Sequence, residues 1–486
     1  MVLLFNPLCT TLWKLMVLWI IFFTMPISSV GMTTKMMTKD SNNTSELHEN
    51  CPVMCRCPTP ETVDCSQAKL TDIPHDISQK AINLLLNGNR LSEISDECFS
   101  MCPRIQTLNL KGNEISEETI SKNAFYALSN LHHLYLSQNK LQKIPKDLPN
   151  SIISLNLEGN FIHEVDDFAL AQKQHLRRLY LHNNNITSES LSKKAFRRLL
   201  KLEEITLSNN FMQAIPLFPD YIERLHMENN QISGISSGIF RKKKKLIALY
   251  LQNNNLINEG LSSKSFTGLN RLEYLDLSNN ELKEIPENIP KNIRRLHLEK
   301  NHLEKITHKS LAALQKLEYL LLQYNNLNSS SIDPGSFSKL RSLKTLHIFT
   351  NNLETVPSFL PPRLEYLILL SNGIKKLKRN TFAGARQIRD LNMRYNKITN
   401  SGLEKGAFRP LPRLTTIDLS GNQLTAVPSL PRSAEVVHLS DNRIVRIPHK
   451  SITRLSRLYH LVLSGNKLQT IANDIFKDSI KMKVYV

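Results

Sequence analysis

From residue 81 onward one pattern recurs, L-x-L-x-x-N-x-L, with Ile, Met or Val in place of some leucines. Clear copies are Leu84, Leu86, Asn89, Leu91; Leu275, Leu277, Asn280, Leu282; and Leu461, Leu463, Asn466, Leu468. Seventeen copies occur, with asparagines at Asn89, Asn113, Asn139, Asn160, Asn184, Asn210, Asn230, Asn254, Asn280, Asn301, Asn325, Asn351, Asn372, Asn396, Asn422, Asn442 and Asn466. No single unit can bury its own apolar face, so a tandem array of this kind is stable only when neighbours stack. In each L-x-L strand alternate side chains point to opposite faces, which sends the leucines inward and the residue between them outward. The next repeat adds a parallel strand about 4.8 Å away. Where the chain turns off the strand, the asparagine amide can satisfy backbone groups of its own turn and of neighbouring coils. A buried ladder from Asn89 to Asn466 is therefore expected.

These are leucine-rich repeats, and the fold class they predict is α/β. The expected form is a curved horseshoe solenoid, with a parallel β-sheet lining its concave side and irregular or short helical segments on its convex side. Successive asparagines stand 24, 26 and then 20 or 21 residues apart. The short member carries two close prolines, as in Ile144-Pro145-Lys146-Asp147-Leu148-Pro149 and Ile285-Pro286-Glu287-Asn288-Ile289-Pro290. Such pairs disfavour helix and suit extended backbone. Longer members carry Ala124-Phe125, Ala195-Phe196, Ser265-Phe266, Ser336-Phe337 and Ala407-Phe408, where a helical turn with a buried Phe fits.

The apolar run Leu15–Phe23 follows Lys14, the one charge in the first 34 residues, and small residues follow at Ser28, Ser29 and Gly31. This is the pattern of a secretory signal and is short for a spanning helix. After its removal no membrane insertion is expected. Six cysteines then remain, an even number that suits an oxidising compartment. Cys51, Cys55, Cys57 and Cys65 cluster without a histidine, which favours disulfides over zinc. Cys98 and Cys102 align with Ala124 and Leu128 of the next repeat. A disulfide between them is expected, at some strain in regular helix geometry, with two buried thiols as the alternative. Sequons lie at Asn42, Asn43, Asn185 and Asn328. The organisation predicted is a signal peptide over 1–31, a glycosylated extension over 32–50, a cysteine-rich cap over 51–80, repeats over 81–476 and a tail over 477–486.

A four-cysteine cluster ahead of repeats that alternate in length, with I-P-x-x-L-P in the short ones, resembles the small leucine-rich proteoglycans of extracellular matrix. The seventeen repeats and the order of their lengths are most like the podocan and nephrocan group. The resemblance spans about residues 51–470. It implies Cys51–Cys57 and Cys55–Cys65 pairing in a hairpin cap, and binding of collagen, growth factors of the transforming growth factor-β type or other matrix proteins. Many relatives of this kind end in a disulfide-bonded C-terminal cap, whereas here no cysteine follows Cys102. The last coil is expected to be covered by Ile475 and Phe476, by a partner or by further residues. Glycosaminoglycan attachment needs Ser-Gly beside acids, and Ser401-Gly402 with Glu404 is the nearest approach. An N-glycosylated glycoprotein is the better fit.

Outward residues of successive strands should form columns. One column includes Tyr135, Tyr180, His226, Tyr250, Asp276, His297 and His347; two residues earlier lie Tyr274, Tyr319 and Tyr366. Tyr is enriched at interfaces, which makes this face the candidate binding surface; the plainer reading is that Tyr and His simply suit strands. His226 and His297 stand three repeats apart, about 14 Å, too far to share one metal ion. Lys and Arg total 62 against 43 Asp and Glu, a net charge of +19, so polyanions are attracted. In a secreted chain that points away from nucleic acid and towards heparin or heparan sulfate. Arg241, Lys242, Lys243, Lys244 and Lys245 form the sharpest run, expected in solvent on the outer segment after Phe240. Smaller groups lie at Lys193–Arg198 and Lys375–Arg379. No H-E-x-x-H, G-x-S-x-G or phosphate-cradling glycine loop is present, so no catalysis and no cofactor are expected. The leading expectation is a secreted matrix glycoprotein. The ectodomain of a receptor or innate-immune recognition protein is the alternative.

Overall fold

The computed structural model describes residues 51–470, 475 and 483–485. The signal segment and the sequons at Asn42 and Asn43 lie outside the described residues. At the N-terminal end β1 (Arg56–Thr59) and β2 (Thr62–Asp64) form an antiparallel hairpin. Cys51 is bonded to Cys57 and Cys55 to Cys65. β2 then pairs in parallel with β3 (Asn83–Leu85), placing Val63 beside Leu84. The hairpin thus covers the first coil with its own apolar residue, as the end of a solenoid requires.

From β3 to β19 (His460–Val462) every strand is three residues long and pairs in parallel with the next. Register never slips: Leu84, Leu108 and Leu134 align, as do Leu249, Leu275 and Leu296. In each strand the central residue is buried and points into one core that runs from Val63 to Ile475. A one-residue slip would turn every such leucine to water, so burial fixes the register.

The asparagine ladder is present. Asn113 donates through Nδ2 to the Leu86 and Leu110 carbonyls and accepts from the Leu91 N–H through Oδ1. Asn280 repeats this with Leu251, Leu277 and Leu256. Each amide therefore ties its own turn to the preceding coil. Asn466 makes the same bonds but is only half-buried. The residue before each ladder asparagine takes a left-handed backbone, whether Gly112 (φ 68°), Asn279 (φ 52°) or Thr350 (φ 50°).

Helix is scarce on the convex side. Four-residue helices occur at His308–Leu311 and His449–Ile452, in 24-residue coils. Short 3-10 turns at Glu117–Thr119 and Asn258–Gly260 belong to 26-residue coils. The expected phenylalanines are all buried, and Phe99–Phe125, Phe196–Phe218 and Phe382–Phe408 stack across coils with ring centroids 5.7–6.3 Å apart.

Two expectations are corrected. Cys98 and Cys102 are free thiols rather than a disulfide. Cys98 Sγ lies 3.2 Å from Ser95 Oγ, whereas Cys102 Sγ is buried and donates to the Phe99 carbonyl at 3.6 Å. Their partners differ, and both lie on one tight turn where bridge geometry is strained. Burial, with Cys98 nearby, pushes the Cys102 thiol up to about 11. The segment assigned as a tail also contributes a strand: β20 (Lys483–Tyr485) pairs in parallel with β19, and the Leu463 N–H donates to the Tyr485 carbonyl at 2.7 Å. Ile475 is buried, as expected of a residue covering the last coil; Phe476 lies outside the described residues. Among the described residues no helix is long and apolar enough to cross a membrane.

Candidate functional site

Because the sheet is in register, outward residues of neighbouring strands meet side by side. In-register pairing aligns His226 of β9 (Arg224–His226), Tyr250 of β10 (Ala248–Tyr250), Asp276 of β11 (Tyr274–Asp276) and His297 of β12 (Arg295–His297). His226 stacks on Tyr250 with centroids 4.2 Å apart, Tyr250 lies 4.8 Å from Tyr274, and Tyr274 lies 5.1 Å from His297. Tyr274 starts its strand yet leans over Asp276, donating its Oη proton to Oδ2 at 3.1 Å. Four rings on four adjacent strands thus form one continuous surface, at distances that favour aromatic contact.

Carboxylates line the same surface. His226 Nδ1 lies 3.5 Å from Glu228 Oε1, and His297 Nδ1 lies 3.5 Å from Asp276 Oδ2 and 3.6 Å from Glu299 Oε1. Burial works against charging His297, but the Glu299 hydrogen bond and the Asp276 and Glu299 charges together raise it above the usual imidazole range. Asp276 is raised as well, because burial outweighs the His297 attraction. Burial also raises the Tyr250 and Tyr274 hydroxyls. On β14 (Thr345–His347), burial lowers His347 to about 4, so it is neutral at physiological pH.

Other residues of the candidate face lie apart from this stack. Tyr135 sits between Asn109 and Asn156 in register. Tyr180 meets His182 edge-on at 6.4 Å, and His182 contacts Glu158 and Thr206. The Tyr319 ring of β13 (Tyr319–Leu321) lies 5.1 Å beneath the Arg295 guanidinium. Tyr366 is exposed beside Thr345 and Asp390. Residues not singled out from sequence complete the surface: Glu228, Gln252, Glu299 and Gln323 each follow the second inward residue of their strand motif. Their signal was available, since the strand period that placed His226 also puts Glu228 on the same face.

The basic run divides. Arg241, Lys242, Lys244 and Lys245 are exposed, but Lys243 is buried, which corrects the expectation that the whole run is solvated. Lys243 stands thirteen residues after its ladder asparagine. Sister coils fill that position with buried Cys102, Leu314, Ala385 and Leu455. Its stem takes the apolar site while Nζ reaches Asp220 Oδ1 at 2.8 Å. Lys173 does the same one period earlier, reaching Asn150 Oδ1 at 3.1 Å. Lys245 lies 4.7 Å above the Tyr221 ring. The sequon residues Asn185 and Asn328 are exposed. Asn328 Oδ1 accepts from Ser330 Oγ at 2.6 Å. Among the described residues no group of three or more His, Cys, Asp or Glu is placed to hold a metal ion.

The leucine rich repeat family signature matches residues 82–141, 151–212, 220–282, 291–353, 362–424 and 432–480. Podocan of Mus musculus is 37% identical over 425 residues, covering 87% of this chain and 70% of podocan. The chain belongs to the small leucine-rich proteoglycan family. Podocan-like protein 1 of Homo sapiens is 36% identical over 86% of this chain and 82% of its own length. Fibromodulin of Bos taurus is 32% identical over 62% of this chain and 80% of its own. These relatives are secreted extracellular-matrix proteoglycans. A leucine-rich repeat protein of Leptospira interrogans shares the fold, with a TM-score of 0.63 at 23% identity over 88% of this chain and 95% of that one.

Proposed function

We propose that this chain is a secreted extracellular-matrix glycoprotein that binds matrix proteins or growth factors on its strand face, without catalysis. The observation that carries the reading is the unbroken row of touching rings, His226, Tyr250, Tyr274 and His297, on an open sheet. A solvated sheet has no structural need for four contiguous rings, whereas interfaces concentrate them. Collagen and growth factors of the transforming growth factor-β type are the partners the family resemblance implies. The finer likeness to nephrocan rests on the seventeen repeats and the order of their lengths. N-linked glycan is assigned to Asn185 and Asn328, and to Asn42 and Asn43 ahead of the cap. Heparan sulfate is assigned to Arg241, Lys242, Lys244 and Lys245, which are exposed. The test is expression in cultured cells. The protein should enter the medium, shift in mobility on N-glycosidase treatment and be retained when passed over decellularised matrix. Retention within the cells, or passage over matrix without delay, would overturn the reading.

A further inference from the structure

The strand face at β9–β13 holds four side-chain acceptors that no donor meets. Glu228 Oε2, Gln252 Oε1, Glu299 Oε2 and Gln323 Oε1 are all shielded from solvent and have no hydrogen-bond partner within the protein. Gln323 is more than nine-tenths buried as a residue, at 9% exposure, and Asp276 is 6% exposed. Oxygens left in this state destabilise a fold unless something donates to them. All four stand beside the ring stack, at the residue that follows the second inward side chain of each strand motif. Three carboxylates, Glu228, Asp276 and Glu299, are thus concentrated on a chain whose net charge is +19, and a single imidazole, His297, is paired with both Asp276 and Glu299. Arg224 and Arg295 flank them at the strand starts, and Arg295 is held over Tyr319. The rings of Tyr250 and Tyr274 add negative faces next to the carboxylates, a combination that favours organic cations.

We propose that this surface receives lysine or arginine side chains of an extended segment of a partner protein, a reading that rests on the matrix-binding function above. The ammonium or guanidinium pairs with the Glu228 and Glu299 carboxylates, whose side chains are each 18% exposed on this face. The alkyl stem lies on the Tyr250 and Tyr274 rings. Elsewhere the positive chain repels such a partner, so the acidic patch selects where it lands. Glu228 and Glu299 belong to strands three apart, about 14 Å at sheet spacing. An extended peptide advances about 3.3 Å per residue, so two basic residues four positions apart match both carboxylates.

The test uses fluorescence polarisation of the full secreted chain with labelled Gly/Ser peptides bearing two lysines four residues apart. Controls carry acetyl-lysine at both positions, or the two lysines adjacent. The wild-type chain should bind the spaced lysine peptide at least about tenfold more tightly than either control, and added salt should weaken that binding. The variant Glu228→Gln with Glu299→Gln keeps the shape of both side chains and should lose the preference. Tyr250→Leu, melting as the wild type does, should weaken binding without abolishing the charge preference. Equal binding of lysine and acetyl-lysine peptides overturns the proposal. So does a charge preference that survives in the double Gln variant. Wild-type retention on decellularised matrix is measured alongside: if it persists while the peptides fail to discriminate, the cation site falls and the matrix reading stands.

Discussion

At the residue scale each coil is held by a few positions with single physical roles. The ladder asparagine was legible because only a side chain with both donor and acceptor can bond turn and neighbour together. The left-handed residue before it was half legible: Asn-Asn pairs such as Asn209-Asn210 and Asn279-Asn280 announce it, but Lys300, Tyr324 and Thr350 do not. Thr350 is the costly case, since a β-branched residue at φ 50° crowds its own backbone. Thr350→Gly should therefore raise stability by about 0.5–1 kcal/mol, part of the relief being offset by glycine's greater freedom when unfolded. Thermal melting followed by circular dichroism checks this. Asp390 offers a pH test. Burial, with Asp418 adding repulsion, raises its carboxyl from 3.8 to about 6. A group raised on folding contributes stability that is fully present below its unfolded value and lost as pH rises through about 6. Asp390→Asn should thus raise the melting temperature at pH 7.5, by the equivalent of about 1–3 kcal/mol, and leave it unchanged near pH 3.5. An equal gain at both pH values would contradict the assignment.

At the element scale repeat length governs where the short convex helices fall: the four-residue helices lie in 24-residue coils and the 3-10 turns in 26-residue coils. Proline pairs gave extended segments, and the longer coils gave turns over buried phenylalanines, because these features act locally and need no knowledge of neighbours. What escaped the sequence reading was phase within the coil. Lys243 lay in a charge run that reads as solvated, although counting thirteen residues from Asn230 places it at the site Leu314 and Leu455 fill elsewhere. The consequence is specific. Changing Arg241, Lys242, Lys244 and Lys245 to Ser should move elution from heparin to lower salt, since the contact is ionic and screened. Lys243→Leu should leave elution unchanged, because its ammonium is already paired with Asp220. The cap makes a second prediction. Changing Cys55 and Cys65 to Ser should cost about 2–5 kcal/mol, the usual loss for a native disulfide. Hydrogen exchange should rise first at β3, beside the hairpin, while β11 stays protected, since solenoid repeats depend chiefly on their neighbours. Uniform loss of protection along the array would contradict that.

At the scale of the whole molecule, stacking converts a residue pattern into a surface. The columns were legible, because a period of two assigns every strand residue to a face. Their chemistry was only partly so. Sequence spacing put Tyr250 and His297 on one face, but it did not show that Tyr274, at the start of its strand, closes the gap between them by leaning over Asp276. Nor did it show that acidic and amide oxygens beside those rings lack donors. Both features arise only when side chains from neighbouring coils are placed in contact. In the function proposed, this strand face, rather than the convex rim, holds the matrix partner. Site-specific photo-crosslinking tests it most directly. A benzophenone amino acid replaces Tyr250 on the strand face in one sample and the exposed Tyr126 of an outer turn in another. Each secreted protein is illuminated on decellularised matrix. Covalent adducts with matrix protein are expected from position 250 and none above background from position 126. Adducts from position 126 with none from position 250 would contradict that function.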